Sequence, residues 1–176
     1  MGSSHLSTNE SELQRLTASG ERLGQAIAER GCVLVTGATT GFPDIVSRAA
    51  RMQGGLTVGI SPASSRDEHT RQYSLPDDGV DVIIYTGFGL EGRNVINVRS
   101  CDIVIIFGGG LGTLNEFTIA FNEEKLIGVL EGTGGAADRI KDIATLSGKR
   151  LGREIVFESD PDALIDRCLR LLDERS

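Results

Sequence analysis

Apolar and polar residues divide the chain into short hydrophobic runs separated by longer amphipathic stretches. The short runs are rich in β-branched residues and lack polar alternation, which is typical of fully buried parallel strands. The longer stretches repeat apolar residues every three or four positions, which predicts amphipathic helices. Predicted strands span residues 32–36, 56–60, 82–86, 103–107, 126–130 and 155–157, and predicted helices span 10–30, 43–53, 93–100, 113–123, 138–146 and 161–173.

This alternation of strands and helices predicts the fold class. Strands that alternate with helices form parallel β-α-β units with right-handed crossovers. We therefore expect one α/β domain over residues 1–176, built on a single doubly wound, mostly parallel, Rossmann-like sheet with helices on both faces. The start of the chain, residues 1–5, is polar, and residues 1–9 are expected to lack regular structure. In such sheets, ligands bind at the carboxyl ends of the strands where the winding reverses.

The stretch from Asp102 to Glu116, D-I-V-I-I-F-G-G-G-L-G-T-L-N-E, carries most of the candidate chemistry. An apolar strand runs through four glycines into a helix that is predicted to begin at Thr113. Backbone N–H groups and the helix dipole favour an anion at such a point, and glycine lets a phosphate approach the backbone. A tight glycine turn without a ligand is the alternative. The pattern predicts a small phosphorylated ligand that contacts Gly109, Gly110, Leu111, Gly112 and Thr113.

A second glycine loop, residues 37–41, follows the predicted strand 32–36 and should lie at the same edge of the sheet. Its two threonines could bind a phosphate or could cap the helix that follows. The candidate ligand contacts in this loop are Gly37, Thr39, Thr40 and Gly41.

Composition and charge narrow the classes of partner. The net charge of −7 and the absence of a basic stripe argue against a nucleic-acid polymer. No apolar run approaches the roughly 20 residues of a membrane span, so a cytoplasmic protein without a membrane partner is expected. The cysteines are isolated from one another and from the two histidines, which predicts no metal site and no cofactor. They are Cys32, Cys101 and Cys168.

Residues 109–116, G-G-L-G-T-L-N-E, with Arg93 upstream, resemble the LOG superfamily (Lonely Guy-type nucleotide-binding Rossmann proteins, often labelled lysine decarboxylase-like). The family signature P-G-G-x-G-T-x-x-E is matched except at its proline, where this chain has Gly108. The resemblance implies a nucleoside 5′-monophosphate phosphoribohydrolase, which releases a free base and ribose 5-phosphate. It also implies that Glu116 is the catalytic carboxylate and that Arg93 places the substrate.

The chain departs from that pattern at three points. Asn94 stands where plant-type enzymes have lysine, and Asn115 replaces the first of their paired glutamates. Residues 1–9 contain no counterpart of the family's first, glycine-ended strand. The segment T-G-F-G-L-E-G-R-N-V-I-N also resembles short relatives thought to carry molybdenum cofactor, a phosphorylated pterin, without turnover. A non-catalytic carrier or sensor of a phosphorylated nucleotide or pterin is therefore the alternative function.

Several candidate side chains also have structural interpretations. Thr113 and Glu116 fit a capping box, in which the glutamate bonds back to the helix N-terminus. Arg93 could be a solvated charge at a predicted helix start. Asn97, one turn later on the same face, is either a second polar contact or solvated. His69 lies in the long polar loop 61–79 and is expected to be solvated rather than catalytic.

The predicted helix 113–123 is apolar on much of its circumference. A helix with one buried face needs only an apolar stripe, so a wider apolar surface predicts burial on a second side. We therefore expect a homodimer, or a dimer of dimers, through this helix. The residues that carry this prediction are Leu114, Phe117, Ile119, Ala120 and Phe121.

Overall fold

Strands and helices alternate along the chain in a computed structural model that describes residues 9–146 and 155–175. The strands are β1 (Leu34–Thr36), β2 (Thr57–Ser61), β3 (Val82–Tyr85), β4 (Ile103–Phe107), β5 (Leu126–Leu130) and β6 (Ile155–Glu158). The α-helices are α1 (Glu10–Glu29), α2 (Phe42–Met52), α3 (Gly89–Arg99), α4 (Leu111–Asn122), α5 (Ile140–Thr145) and α6 (Pro161–Asp173). A π-helical turn spans Glu68–Gln72, and a 3₁₀ turn at Ala137–Arg139 leads into α5.

All the strand pairs in the described residues are parallel, which confirms the α/β class and the Rossmann-like architecture. The hydrogen-bonded ladder is divided into two halves, with strand orders β1-β2-β3 and β4-β5-β6. The expected single continuous ladder is therefore not seen within residues 9–146 and 155–175. The chain winds outward from β1 in one half and outward from β4 in the other. The reversal of winding, where open α/β sheets bind ligands, thus lies between β1 and β4.

Two apolar clusters cover the two faces of the β4–β6 half. Because side chains alternate along a strand, Phe107 joins the cluster of α1, α2 and α6, whereas Val104 and Ile106 join the cluster of α3, α4 and α5. Strand β5 divides in the same way and is buried at every position. Burial on both faces explains why these strands are continuous hydrophobic runs in the sequence.

Helices α3 and α4 begin earlier than the sequence pattern predicts, at Gly89 and Leu111 instead of Arg93 and Thr113. The sequence pattern predicts loop for the glycines before each helix, but the last of them lie in the first helical turn. The turn itself is made by Gly108 and Gly109, whose φ angles of 56° and 95° lie in the left-handed region. Both shifts change the position of candidate residues relative to the helix N-termini.

The long loop 62–79 is fixed to the body of the protein by buried and surface contacts. The His69 ring is 0% exposed and bonds Ser61 Oγ through Nδ1 (2.8 Å) and the Pro76 carbonyl through Nε2 (2.9 Å). Since the carbonyl can only accept, Nε2 donates to it, and in a neutral imidazole Nδ1 then accepts from the serine hydroxyl. The expectation that His69 is solvated was therefore wrong, and this histidine holds the loop on the sheet.

The prediction that residues 1–9 lack regular structure lies outside the described residues except at Asn9, whose side chain caps α1 by accepting from the Ser11 and Glu12 amides.

In α4, Phe117 is buried, while Ile119 and Phe121 are half-buried against the cluster of α3, α4 and α5. Dimerisation through this helix stays a prediction. Light scattering at micromolar concentration tests it by measuring the molecular mass in solution.

Candidate functional site

A cavity of about 760 Å³ lies between β1 and β4 and reaches their carboxyl ends. Its mouth is formed by the loop after β1, the first half of α3, and the glycine loop with the first turns of α4. The candidate residues that line it are Gly37, Thr39, Arg93, Gly109, Gly110, Leu111, Gly112, Thr113 and Glu116. Two loops that are far apart in the sequence therefore meet at one site.

The glycine loop after β4 is held from behind by the loop after β5. The Gly108 amide donates to Thr133 Oγ1 (2.9 Å), and the Thr133 hydroxyl donates to the Leu130 carbonyl (2.6 Å). The Gly108 and Gly109 carbonyls accept from the amides of residues 137 and 136, respectively, at 3.0 and 2.9 Å. These bonds fix the loop carbonyls away from the mouth. The first-turn N–H groups of α4 are those that a helix leaves without an intrahelical acceptor.

At two positions at the start of α4, Gly110 and Gly112, the surrounding described residues do not require a glycine. A Cβ atom added at Gly110 or at Gly112 would meet no protein atom within 4 Å, and neither φ angle lies in the left-handed region. At Gly109, by contrast, an added Cβ would lie 2.3 Å from Thr113 Oγ1. Gly109 is thus needed for packing, whereas Gly110 and Gly112 leave open space directly over a helix N-terminus.

Arg93 and Glu116 form a buried ion pair at the inner wall of the cavity. Arg93 Nη1 lies 3.5 Å from Glu116 Oε1, and the two side chains are 7% and 8% exposed. Asn97, one helical turn after Arg93, donates from Nδ2 to the same carboxylate oxygen at 3.2 Å. The Nε atom of Arg93 is buried and has no hydrogen-bond partner among residues 9–146 and 155–175. The site therefore keeps one donor that the described protein atoms do not satisfy.

This geometry excludes the structural interpretations of these side chains. Glu116 is the sixth residue of α4, whose N-cap is Gly110 and has no side-chain cap, so the capping box was wrong. Arg93 is in the second turn of α3 and is buried, so it is not a solvated charge at a helix start. Asn97 is 0% exposed and does not line the cavity, which makes it a partner of Glu116.

Burial sets the ionisation of the pair. It raises the pKa of the Glu116 carboxyl above its ordinary value, while the Arg93 charge and the Asn97 hydrogen bond act in the opposite direction. Burial likewise lowers the pKa of the Arg93 guanidinium from its ordinary value, against the effect of the Glu116 charge. The guanidinium remains protonated at neutral pH. A carboxyl with a raised pKa is better able to hold or donate a proton near neutrality than an exposed one.

The position of Arg93 explains why residue 37 is a glycine. A Cβ atom at position 37 would lie 2.2 Å from Arg93 Nη1 and 2.7 Å from Cζ, so the guanidinium packs directly on the glycine backbone. The predicted role of Gly37 was ligand binding, and the structure gives it a second role, which is to admit the arginine. Arg93 thereby contacts both halves of the sheet, at Gly37 after β1 and at Glu116 in α4.

The two polar departures from the LOG pattern contact each other. Asn94 Nδ2 donates to Asn115 Oδ1 at 2.9 Å, which joins α3 to α4 beside the ion pair. The sequence places these residues 21 positions apart and does not indicate that they meet. Where the resemblance led us to expect a lysine and a glutamate, this chain thus has an uncharged hydrogen bond.

Two other predicted contacts lie away from the cavity wall. Thr40 and Gly41 do not line the cavity, and Gly41 instead forms the N-cap of α2 with a φ angle of 80°. No threonine side chain caps that helix, so the capping alternative for this loop was wrong. Sequence reasoning did not select Leu90 or Glu91 as contacts, although both line the mouth. They belong to the first turn of α3, which the glycine-rich sequence concealed.

The fold and the site define the class of this protein: a parallel α/β protein whose glycine loops surround a cavity at the point where the winding reverses. The chain belongs to the SLOG cluster4 family, whose model matches residues 1–165. Within residues 9–146 and 155–175, none of the helices combines the length and the apolar composition needed to cross a lipid bilayer.

Relatives whose names state a function fall into two groups. A cytokinin riboside 5′-monophosphate phosphoribohydrolase of Mycobacterium marinum is 31% identical over 155 residues, or 81% of this chain and 80% of that protein. The molybdenum cofactor binding protein of Rippkaea orientalis is 31% identical with a TM-score of 0.74, covering 99% of this chain and 93% of its own. The molybdenum cofactor carrier protein of Chlamydomonas reinhardtii is 27% identical with a TM-score of 0.75, covering 99% and 96%.

Proposed function

We propose that this protein binds a small phosphorylated ligand, of the nucleoside monophosphate or phosphorylated pterin type, with its phosphate on the first turn of α4. The observation that carries the proposal is the open space at Gly110 and Gly112, beside a helix N-terminus and inside the mouth of the cavity. A glycine that no protein atom requires is accounted for by a ligand that approaches the backbone closely.

The buried pair at the inner wall supports binding of such a ligand. Arg93 Nε has no partner among the described protein atoms, although buried polar groups are normally hydrogen-bonded. An acceptor on the ligand would satisfy it and would complete the coordination of the guanidinium. The relatives add support, because they are named as a nucleoside monophosphate phosphoribohydrolase and as proteins that bind or carry molybdenum cofactor.

We favour binding without turnover, as a carrier or sensor. The Glu116 carboxylate is almost fully buried and is held at Oε1 by two donors, Arg93 and Asn97. The neighbouring Asn94 and Asn115 bond to each other and bring no further charge to the site. A buried carboxylate fixed in this way orients an arginine well but is poorly placed to activate water.

The second candidate function is a nucleoside 5′-monophosphate phosphoribohydrolase, and one observation favours it. Glu116 has a raised pKa and lines the cavity, and these are properties of a general acid that could protonate a departing base. An N-glycosidic bond breaks through a cationic sugar, which a carboxylate also stabilises. Under this alternative, Arg93 and Glu116 act on the substrate directly.

The experiment compares wild type, Glu116→Gln and Glu91→Gln with a panel of nucleoside 5′-monophosphates. Glu91 is an exposed carboxylate on the same cavity wall and serves as the matched control. Melting temperature measures binding, and chromatography measures release of free base and ribose 5-phosphate. Ligand-dependent stabilisation without product supports the carrier or sensor, whereas product that is lost only in Glu116→Gln supports the hydrolase.

If no member of the panel binds, native mass spectrometry of protein purified from cells tests for a retained phosphorylated pterin. A protein that shows neither nucleotide binding nor a retained phosphorylated compound would contradict the proposal of a ligand on the glycine loop.

A further inference from the structure

The loop after β5, residues 131–137, lies directly against the glycine loop after β4. A Cβ atom added at Gly135 would overlap the carbonyl oxygen of Gly109, so the two backbones are in contact. The Gly109 and Gly108 carbonyls also accept from two amides at the end of this loop, at 2.9 and 3.0 Å. The shape of the glycine loop therefore depends on the shape of the loop after β5.

The loop after β5 has little rigidity of its own. Gly132, Gly134 and Gly135 have φ angles of 73°, 77° and 57°, which lie in the left-handed region. Glycine reaches this region without strain, but it loses more conformational freedom on ordering than any other residue. A loop with three such glycines close together needs further contacts to keep one conformation.

The Asp138 carboxylate supplies contacts of this kind. Its Oδ1 accepts from the Gly132 amide at 2.8 Å, and its Oδ2 accepts from the Gly134 amide at 3.1 Å. Hydrogen bonds from amides to a carboxylate are charge-assisted and stronger than those between neutral groups. The carboxylate thus holds the backbone on both sides of Thr133.

Thr133 connects the held loop to the candidate phosphate site. Its hydroxyl accepts from the Gly108 amide at 2.9 Å and donates to the Leu130 carbonyl at 2.6 Å, and the residue is buried. Because the amides before and after Thr133 are bonded to Asp138, the position of this hydroxyl depends on the carboxylate. Gly108 begins the turn that leads into α4.

The segment that carries Asp138 is itself anchored in the core. Asp138 lies in the 3₁₀ turn that leads into α5, between Ala137 and Ile140, which are both buried in the cluster of α3, α4 and α5. On the other side of the loop, the Gly132 carbonyl accepts from Arg15 Nη2 of α1 at 2.8 Å. A carboxylate on a fixed turn can hold a flexible loop in place.

We propose that Asp138 is a positioning residue for the phosphate site and that it acts through Thr133, which keeps the glycine loop after β4 in the conformation that receives the ligand. This inference rests on the proposed binding of a phosphorylated ligand to the first turn of α4. Asp138 is not among the residues that line the cavity, so it acts through the loops and not on the ligand.

The first test requires no ligand and measures amide hydrogen exchange by NMR. In Asp138→Ala, exchange of the Gly108 amide should become about tenfold faster or more than in wild type. The Val129 amide, which is buried in the ladder of β5, reports any change in global stability. Gly108 exchange that is unchanged, or that changes only as much as Val129 exchange, would overturn the proposal.

Asp160→Ala is the matched control for both tests. It also removes one negative charge and a carboxylate that accepts from a backbone amide, but this carboxylate caps α6. The control should lower the melting temperature without accelerating exchange of the Gly108 amide relative to the Val129 amide.

The second test measures binding of the nucleoside 5′-monophosphate that wild type binds most tightly, by stopped flow. If the glycine loop is ordered in only a fraction of the molecules, the apparent affinity falls by that fraction. Asp138→Ala should therefore bind about tenfold more weakly, through slower association and with an unchanged dissociation rate. Asp138→Asn, which keeps one acceptor oxygen, should lie between Asp138→Ala and wild type.

Wild-type affinity in Asp138→Ala would overturn the positioning role, and so would an equal loss of affinity in Asp160→Ala, because general destabilisation would then explain both. The proposed function fails separately, if wild type binds no nucleotide and retains no phosphorylated compound. In that case the exchange of the Gly108 amide still shows whether Asp138 orders the glycine loop.

Discussion

Replacing Gly112 by alanine should separate ligand binding from folding. The new methyl group meets no protein atom within 4 Å, and position 112 is the second residue of α4. Alanine is favoured over glycine within a helix by up to about 1 kcal/mol. Since a domain of this size shifts by roughly 2–4 °C per kcal/mol, the melting temperature of the free protein should rise by about 1–4 °C.

The same methyl group would occupy the space that we assign to the phosphate. Overpacking of a fitted contact costs about 1–3 kcal/mol. At about 1.4 kcal/mol for each factor of ten, binding should weaken roughly 5- to 150-fold. Isothermal titration with the tightest nucleoside monophosphate of the panel measures this change, and the melting temperature of the free protein is recorded on the same samples.

Gly20→Ala is the matched control, because it adds a methyl group to the interior of α1 at ordinary contact distance, 3.4 Å from Ile45. It should change stability without changing affinity. A Gly112→Ala protein that binds the ligand as tightly as wild type would refute the assignment of the phosphate to the first turn of α4.

Three further perturbations follow from the geometry. Gly37→Ala places a Cβ 2.2 Å from Arg93 Nη1, so the melting temperature should fall by roughly 3–10 °C; an unchanged value would show that the guanidinium does not pack on residue 37. His69→Ala removes a fully buried ring and its hydrogen bond to Ser61. The free energy of unfolding measured in urea should fall by about 2–4 kcal/mol, and proteolysis within residues 62–79 should become faster. Resistance to proteolysis equal to that of wild type would argue against the anchoring role of His69. For Glu116 the folded-state pKa is raised from 4.5, so its stabilising effect is complete below that pH and is lost as pH rises through the raised value. Stability measured against pH should therefore decline in this window more for wild type than for Glu116→Gln, and parallel curves would contradict the raised pKa.

The sequence was sufficient to predict the strands that are apolar on both faces. Strand β4 and its glycine loop could be located because a run of five apolar residues without polar alternation is typical of strands in parallel sheets. The meeting of the loops after β1 and β4 followed from topology alone. These predictions depend on burial and chain direction, which local sequence expresses directly.

The environments of individual side chains were harder to predict from the sequence. The capping-box interpretation of Glu116 requires a helix start at Thr113. It is wrong because Gly112, which resembles loop in the sequence, occupies the first turn of α4. His69 sits in a polar segment, and its burial depends on Ser61 and the Pro76 carbonyl, a contact that no periodicity reveals. The Asn94–Asn115 bond depends on the packing of α3 on α4. Such long-range contacts require the tertiary structure.

The hydrogen bonds between the glycine loop after β4 and the loop after β5 have a consequence for the rate of ligand binding. Since its carbonyls are already bonded to residues 136 and 137, the loop has no ordering step to complete when a phosphate arrives. Preformed sites lose little conformational entropy on association, and their encounter with ligand is limited by diffusion and orientation. Stopped-flow traces should therefore be single exponentials whose observed rate increases linearly with ligand concentration and does not reach a plateau.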